Sequence, residues 1–333
     1  MENLTFIVLV IGIAFVFDFT NGVHDAANSV ATIVSTRVLS PRQAVIWAAL
    51  FNFISFIFFG TEVAKTIGKG LIDISVVTPV VILGGLLGAI IWNLITWYFG
   101  LPTSSSHALI GGYAGSAIAQ SGFGVIIPGG WYKTLAFIVL APAIGLILGV
   151  IFLILSTWSV YKQSPDFVNY WSRKLQLLSA ALYSLGHGGN DAQKTMGIIT
   201  GVLFSSGLIK SFHVPVWVVM SCYLVIALGT MMGGWRIIKT MGQKITALRP
   251  IDGCCAETAS AISIFLATHL GVPVSTTQVI TGAISGVGAA KRFSAVRWGV
   301  TLRIVWAWFL TIPCAAMIGG ACYYIFAVVR NSF

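Results

Sequence analysis

Long apolar runs follow one another along most of the chain, and short polar or charged stretches separate them. A helix needs about 20 predominantly apolar residues to cross the hydrocarbon core of a bilayer, and most runs approach that length. The pattern predicts ten membrane segments, at about 4–36, 43–62, 76–99, 102–120, 132–158, 175–208, 214–234, 253–270, 273–290 and 297–328. We therefore expect an all-α integral membrane protein.

Polar residues occur in the middle of two of these segments. Helical spacing places one set on a single face of the first segment. That set is Asp18, Asn21, Asp25 and Asn28. The sixth segment has a similar set, which is His187, Asn190, Asp191 and Lys194. A charged side chain at the bilayer centre costs roughly 2.5–3.5 kcal/mol on insertion scales, so these residues indicate an ion or substrate pathway.

Glycines accompany both polar sets. Gly22 lies in the first, and Gly186, Gly188 and Gly189 lie in the second. We expect helix breaks near residues 21 and 189, because glycine weakens a helix and a break would free carbonyl oxygens for a small cation. The residue types predict cation ligands at Asn21, Asp25, Asn190 and Asp191.

The chain repeats itself in the same order of motifs. "VHDAAN" at 23–28 aligns with "GNDAQK" at 189–194, and "GLPTSSSHALIGGYAG" at 100–115 aligns with "GVPVSTTQVITGAISG" at 271–286. The two offsets, 166 and 171 residues, are nearly equal. They divide the chain into halves at about 1–165 and 166–333, each with five predicted segments. An odd number of crossings inverts the second half, as in many secondary transporters with a midplane site.

The second motif places Gly-x-Pro before three small hydroxyl residues in each half. Proline suits the first turn of a helix and serine or threonine suits its cap, so each copy predicts a helix N-terminus inside the membrane. Such an end offers free N–H groups and a positive dipole, which favour an anion such as phosphate. The predicted donors are Ser104, Ser105, Ser106, Ser275, Thr276 and Thr277, with Lys194 facing the same anion.

Composition and charge agree with a membrane protein. Only 8% of the residues are charged and 57% are hydrophobic, with a mean hydropathy of +0.93, whereas soluble domains carry about a quarter charged residues. The net charge of +10 lies in loops, so we expect no nucleic-acid partner. Twelve Lys and Arg residues follow odd-numbered segments and five lie on the other side. The positive-inside rule then predicts a multi-pass protein of the cell membrane with both termini outside.

Glu257, in "CCAETASAIS", lies one segment before the second hydroxyl motif. We expect a proton or cation site there, and an ion pair with Arg303 is the alternative. The five cysteines lack metal-ligand spacing, and no resident metal or cofactor is expected beyond a coupling Na⁺ or H⁺.

"NGVHDAAN", "GHGGND", "GLPTSSSH" and "GVPVSTTQ" resemble the signature motifs of the inorganic phosphate transporter family over nearly the whole chain. The resemblance implies a dimeric phosphate symporter with inverted halves, driven by sodium ions or protons, and some members carry a metal–phosphate complex. It also implies that Asp25, Asn28, Asn190 and Asp191 are cation or phosphate ligands, with Asn28 among the phosphate ligands. The chain differs from eukaryotic members of the family at two positions. His24 stands where those members tend to carry asparagine, and Asn52 stands where they tend to carry glutamate. The long hydrophilic loop of larger members is missing, which indicates a short prokaryotic form.

Three other functions compete with phosphate symport. A sulfate symporter would use the same helix-end chemistry. A channel would share the polar pathway without gradient-coupled, saturable uptake. An intramembrane serine hydrolase would pair Ser105 or Ser106 with His107, but adjacent residues of a helix point about 100° apart, and the second half has Gln278 at the equivalent position.

Overall fold

A computed structural model describes residues 4–331, and within that range the regular structure is helical, with one isolated β-bridge between Ile72 and Ile126. The α-helices are α1 (Leu4–Ser35), α2 (Pro41–Ile54), α3 (Glu62–Lys69), α4 (Pro79–Phe99), α5 (Ser105–Ser121), α6 (Pro128–Val160), α7 (Pro165–Ser205), α8 (Val216–Met232), α9 (Trp235–Lys239), α10 (Pro250–His269), α11 (Thr276–Lys291) and α12 (Trp298–Asn331). A π-helical turn, Thr240–Lys244, continues α9. The charge pattern predicts that both chain termini lie outside the cell. These termini include residues outside the described range.

The expectation of ten spans is not met. Among the described residues, five helices are long and apolar enough to cross a membrane: α1, α4, α6, α10 and α12. Two bent pairs raise the number to seven, since α2 and α3 meet at 87° and α8 and α9 at 62°. The α5 and α11 helices have 17 and 16 residues, or about 25 Å at 1.5 Å per residue, which is shorter than the hydrocarbon core of about 30 Å.

The predicted breaks near residues 21 and 189 are also wrong, because α1 and α7 run continuously through both glycine sites. The glycines serve close helix packing instead. A Cβ on Gly22 would lie 2.4 Å from the Ile226 carbonyl of α8, and one on Gly188 would lie 2.6 Å from the Asn52 carbonyl of α2. The backbone carbonyls of α1 and α7 remain inside helices, so side chains supply the polar groups here.

Close contacts at glycine residues also hold α5 and α11 in place. The α5 helix packs against α4 and α12, while α11 packs against α6 and α10. A Cβ on Gly115 of α5 would lie 2.0 Å from the Ala316 carbonyl, and one on Gly286 of α11 would lie 2.1 Å from the Leu146 carbonyl. Because the neighbours are backbone atoms of long helices, they cannot move aside cheaply.

We expect Gly115→Ala to destabilise the protein, since overpacking of this kind costs typically 1–3 kcal/mol and occasionally more. Gly12→Ala is the matched control, because Gly12 lies within α1 and a Cβ there would meet nothing within 4 Å. Thermal unfolding of the purified variants in detergent measures both. A Gly115→Ala midpoint equal to that of Gly12→Ala would contradict the packing argument.

Candidate substrate and cation site

Two helix N-termini, those of α5 and α11, lie at the centre of the candidate site. Gly100 and Gly271 have positive φ angles of 64° and 67° and turn the chain just after α4 and α10. Three residues without regular secondary structure follow each glycine and lead into the N-caps Ser104 and Ser275. The Ser104 hydroxyl accepts the His107 N–H at 3.1 Å, and the Ser275 hydroxyl accepts the Gln278 N–H at 3.3 Å. Both serines therefore fix the helix starts, as expected of N-cap residues.

The next two residues of each helix point their hydroxyl groups at the polar faces of α1 and α7. On the α1 side, Ser105 Oγ donates to Asp25 Oδ1 at 3.2 Å, and Thr277 Oγ1 lies 3.5 Å from the same oxygen. His24 Nδ1 lies 2.9 Å from Asp25 Oδ1, and His24 Nε2 lies 3.1 Å from Thr96 Oγ1. The Asp25 carboxylate therefore contacts both hydroxyl motifs.

The α7 side repeats this arrangement around Asp191. Thr276 Oγ1 donates to Asp191 Oδ2 at 3.3 Å, and His187 Nδ1 lies 3.2 Å from that oxygen. The Lys194 ammonium forms an ion pair with Asp191 Oδ1. Asn190 Nδ2 donates to Thr268 Oγ1 at 2.9 Å, which parallels the contact between His24 and Thr96.

Helices α1 and α7 each also contact the hydroxyl motif of the other half. Asn28 Nδ2 donates to Thr277 Oγ1 at 2.8 Å. The equivalent residue of α7, Lys194, donates to Ser106 Oγ and to the Val274 carbonyl, the latter at 2.9 Å. The structure thus brings eight predicted residues into one group, here called the central cluster. They are Asn28, Asp25, Asp191, Lys194, Ser105, Ser106, Thr276 and Thr277, each at most 3% exposed.

The central cluster combines groups suited to ions of both signs. Its carboxylates are acceptors for cations, while its hydroxyls, Lys194 and Asn28 are donors for an anion. The first N–H groups of α5 and α11 have no partner inside their own helices, as at every helix N-terminus. A buried site of low dielectric strengthens each of these interactions and makes any unpaired charge costly.

Glu257, predicted as a cation site, lies outside the central cluster. Its carboxylate accepts from Thr32 Oγ1 at 2.6 Å, Ser179 Oγ at 2.5 Å and Gln176 Nε2 at 3.1 Å. Among the described residues it forms no ion pair with Arg303, so that alternative is wrong. Asn21 is buried too, and its side-chain oxygen has no hydrogen-bond partner within residues 4–331.

The serine hydrolase alternative does not fit the geometry. Ser105 Oγ contacts Asp25 and His24, and Ser106 Oγ contacts Lys194 and the Val274 carbonyl. The His107 ring instead lies near the Gln278 amide, with its Nδ1 3.4 Å from Nε2. Within the described residues, no hydrogen bond joins His107 to either serine.

Sequence reasoning missed several residues that support the cluster. Thr96 and Thr268 orient His24 and Asn190, and the Tyr183 hydroxyl donates to the Thr276 carbonyl at 3.3 Å. The two threonines lie 172 residues apart, close to the motif offsets, so the repeat carried a signal for them. Tyr183 has no comparable signal.

The bent helix pairs lie over the two glycine turns. Thr66 of α3 donates to the Gly271 carbonyl at 2.7 Å, and Gln193 of α7 accepts the Val63 N–H at 2.9 Å. At the other turn, Arg236 of α9 donates to the Tyr98 carbonyl at 2.6 Å. Helices α3 and α9 are therefore each hydrogen-bonded to a segment that leads into a hydroxyl motif.

Comparison with known proteins identifies the family. A model of the phosphate transporter family matches residues 21–319, which include every member of the central cluster. The chain belongs to the phosphate transporter family. It is therefore a transport protein and not an enzyme, and the resemblance inferred from the motifs is confirmed.

Members of the phosphate transporter family from bacteria align over almost the full chain. A protein of Rhizobium meliloti is 58% identical over 94% of both chains, and one of Bacillus subtilis is 45% identical over 97% of both. Both carry the name "Probable low-affinity inorganic phosphate transporter". A solved structure, "The sodium-dependent phosphate transporter", superposes with a TM-score of 0.87 at 25% identity and covers 98% of this chain and 100% of its own.

Proposed function

We propose that this protein is a secondary active transporter of the cell membrane that carries inorganic phosphate together with sodium ions. The observation that carries the proposal is the central cluster, in which two carboxylates and two helix N-termini share hydrogen bonds. Each ligand would neutralise the charge that the other meets, so that each raises the affinity for the other. The sodium dependence of the similar solved structure supports sodium over protons.

The residue roles follow from what each group can donate or accept. Phosphate would lie between the two helix N-termini, where Ser105, Ser106, Thr276 and Thr277 donate, and Lys194 and Asn28 add donors from α7 and α1. Ser104 and Ser275 would hold the helix starts. Sodium would bind beside Asp25 and Asp191, with Asn21 and Asn190 nearby, and Glu257 would serve as a separate carboxylate site for a cation.

The paired contacts support a repeat of two inverted halves, 1–165 and 166–333. Asp25 with Ser105 corresponds to Asp191 with Thr276, and Asn28 with Thr277 corresponds to Lys194 with Ser106. In this arrangement α3 would cover the site from one side of the membrane and α9 from the other. Both termini outside and assembly as a homodimer are parts of the same proposal, the second on the family resemblance.

Uptake of radiolabelled phosphate into proteoliposomes tests the function. We expect an inward sodium gradient to drive accumulation that excess unlabelled sulfate does not suppress. An inward proton gradient without sodium should drive little. Accumulation driven only by protons would move the coupling to a proton, and suppression by sulfate would favour the sulfate alternative. Uptake that neither saturates nor follows a gradient would indicate a channel.

Replacing the donors of one helix N-terminus should weaken phosphate binding. A hydrogen bond to a charged group contributes about 1.5–3 kcal/mol, and 1.4 kcal/mol is tenfold, so Thr277→Ala should raise the KM for phosphate about tenfold or more. Ser285→Ala is the matched control, because Ser285 is a buried hydroxyl later in α11. The assay is initial uptake rate against phosphate concentration. An equal KM in both variants would contradict the anion site.

A further inference from the structure

Asp18 is a buried carboxylate that the central cluster does not include. It lies on α1 seven residues before Asp25, which is about 10 Å along the helix axis. Its side chain is 0% exposed. It therefore lies within the protein interior, beside the site of the proposed function but separate from it.

The contacts of Asp18 differ from those of the other buried aspartates. Thr195 Oγ1 of α7 donates to Asp18 Oδ1 at 2.8 Å. Asp25 has His24 as an ionisable partner, and Asp191 has Lys194. Within residues 4–331, by contrast, Asp18 forms no ion pair, and its Oδ2 has no hydrogen-bond partner. An ionised carboxylate left this way costs several kcal/mol, and a bound cation would remove that cost.

The surroundings of Asp18 offer oxygen atoms rather than a basic side chain. Asn21 lies one helical turn later on the same face and is 1% exposed, and its Oδ1 also has no hydrogen-bond partner in the described range. The other groups that interact electrostatically with Asp18 are Asp191 of α7 and Cys222 and Tyr223 of α8. None of them supplies a positive charge. Two unpartnered buried oxygens and a threonine hydroxyl are typical ligands of a small hard cation.

We propose that Asp18, Asn21 and Thr195 form a second sodium site, which shares Asn21 with the cation site at Asp25 and is otherwise distinct from the sites at Asp25 and Asp191. The site rests on the proposed function only in that the bound ion would travel with phosphate. Thr195 directly follows Lys194, and Asp191 lies one turn earlier on α7. A cation at Asp18 therefore acts electrostatically on the charged pair of the central cluster, so its binding and that of phosphate favour each other. At least two sodium ions would accompany each phosphate.

Equilibrium binding of radioactive sodium to the purified full-length protein, without phosphate, tests the site directly. We expect Asp18→Asn to bind one sodium ion fewer per protein than the wild type. Thr195→Val should weaken binding at that site at least fivefold. The matched control is Thr200→Val, because Thr200 is buried on the same helix and its hydroxyl donates to the Met196 carbonyl at 2.7 Å. The control should bind sodium as the wild type does.

The two variants keep the test decisive even if one of them fails to fold. Size-exclusion chromatography checks each, and Thr195→Val alone decides if Asp18→Asn aggregates. Wild-type stoichiometry and affinity in the folded variants would overturn the site, as would a wild type that binds no sodium. In proteoliposomes, Asp18→Asn should lower the Hill coefficient for sodium by about one. If the wild type takes up no phosphate, the proposed function is overturned instead. The sodium-binding experiment would still test the site at Asp18.

Discussion

Asp25→Asn and Asp191→Asn should each reduce sodium-driven phosphate uptake at least a hundredfold, and Asp25→Asn should leave the protein folded. Asparagine keeps the shape and one oxygen of the side chain but removes the negative charge, and a cation in a site of low dielectric depends on that charge. Each carboxylate also accepts from a hydroxyl of the anion site, Ser105 or Thr276. The loss should therefore affect phosphate as well as sodium.

Uptake into proteoliposomes, normalised to the reconstituted protein, measures this effect. Asp73→Asn is the control, because Asp73 is exposed in the loop between α3 and α4. The Ser75 N–H donates to its carboxylate at 3.0 Å and holds the pKa of Asp73 below its usual range. Asp73→Asn should transport at nearly the wild-type rate. Sodium-driven uptake in both site variants would refute the assignment of Asp25 and Asp191 as cation ligands.

The sequence predicted the members of the central cluster because both motifs occur twice at nearly one offset. Asp25 and Asp191 are unusual within apolar helices, and the hydroxyl triplets after Gly-x-Pro specify helix starts by local chemistry alone. The structure brings the two kinds of motif together, as a shared site required. Local sequence could not show which hydroxyl groups cap a helix and which contact the charged side chains of α1 and α7. The caps Ser104 and Ser275 accept backbone N–H groups. Ser105, Thr276 and Thr277 instead reach the carboxylates, and Ser106 contacts Lys194.

Two predictions were wrong, that of helix breaks at the glycines and that of the number of membrane spans. Glycine at positions 22 and 188 is compatible with a broken helix or with close packing of an intact one. The choice depends on backbone atoms of α8 and α2 that are remote in sequence. The number of spans failed for a related reason, because apolar runs do not reveal where tertiary contacts bend a helix. The contact between Asp18 and Thr195, 177 residues apart, left no pattern in the sequence.

Hydrogen bonds connect α3 and α9 to the segments that lead into the candidate site. Thr66 and Arg236 bond to the turns that precede α11 and α5. A change in the position of either helix N-terminus on phosphate binding would therefore be transmitted to α3 or α9. Helices α3 and α9 are thus hydrogen-bonded to the segments that precede the two helix N-termini, and the proposed alternating access would require such a connection.

Lys194→Met should destabilise the protein by about 3–5 kcal/mol and abolish phosphate uptake, because breaking a buried ion pair leaves the remaining charge uncompensated. The Lys194 ammonium has three donors, and all are used, by Asp191, Ser106 and the Val274 carbonyl. The control is Lys65→Met, which breaks an exposed pair with Glu62. Exposed pairs contribute about 0–1 kcal/mol, so this variant should unfold thermally much as the wild type does.

The double variant Asp191→Asn with Lys194→Met separates stability from transport. Removing both charges together should recover most of the lost thermal stability, since a buried pair replaced as a unit is often neutral. Transport should stay absent, because the proposed cation site lacks a carboxylate and the proposed anion site lacks its only ammonium among the described members of the central cluster. A double variant that regains both stability and uptake would show that the pair serves the fold alone.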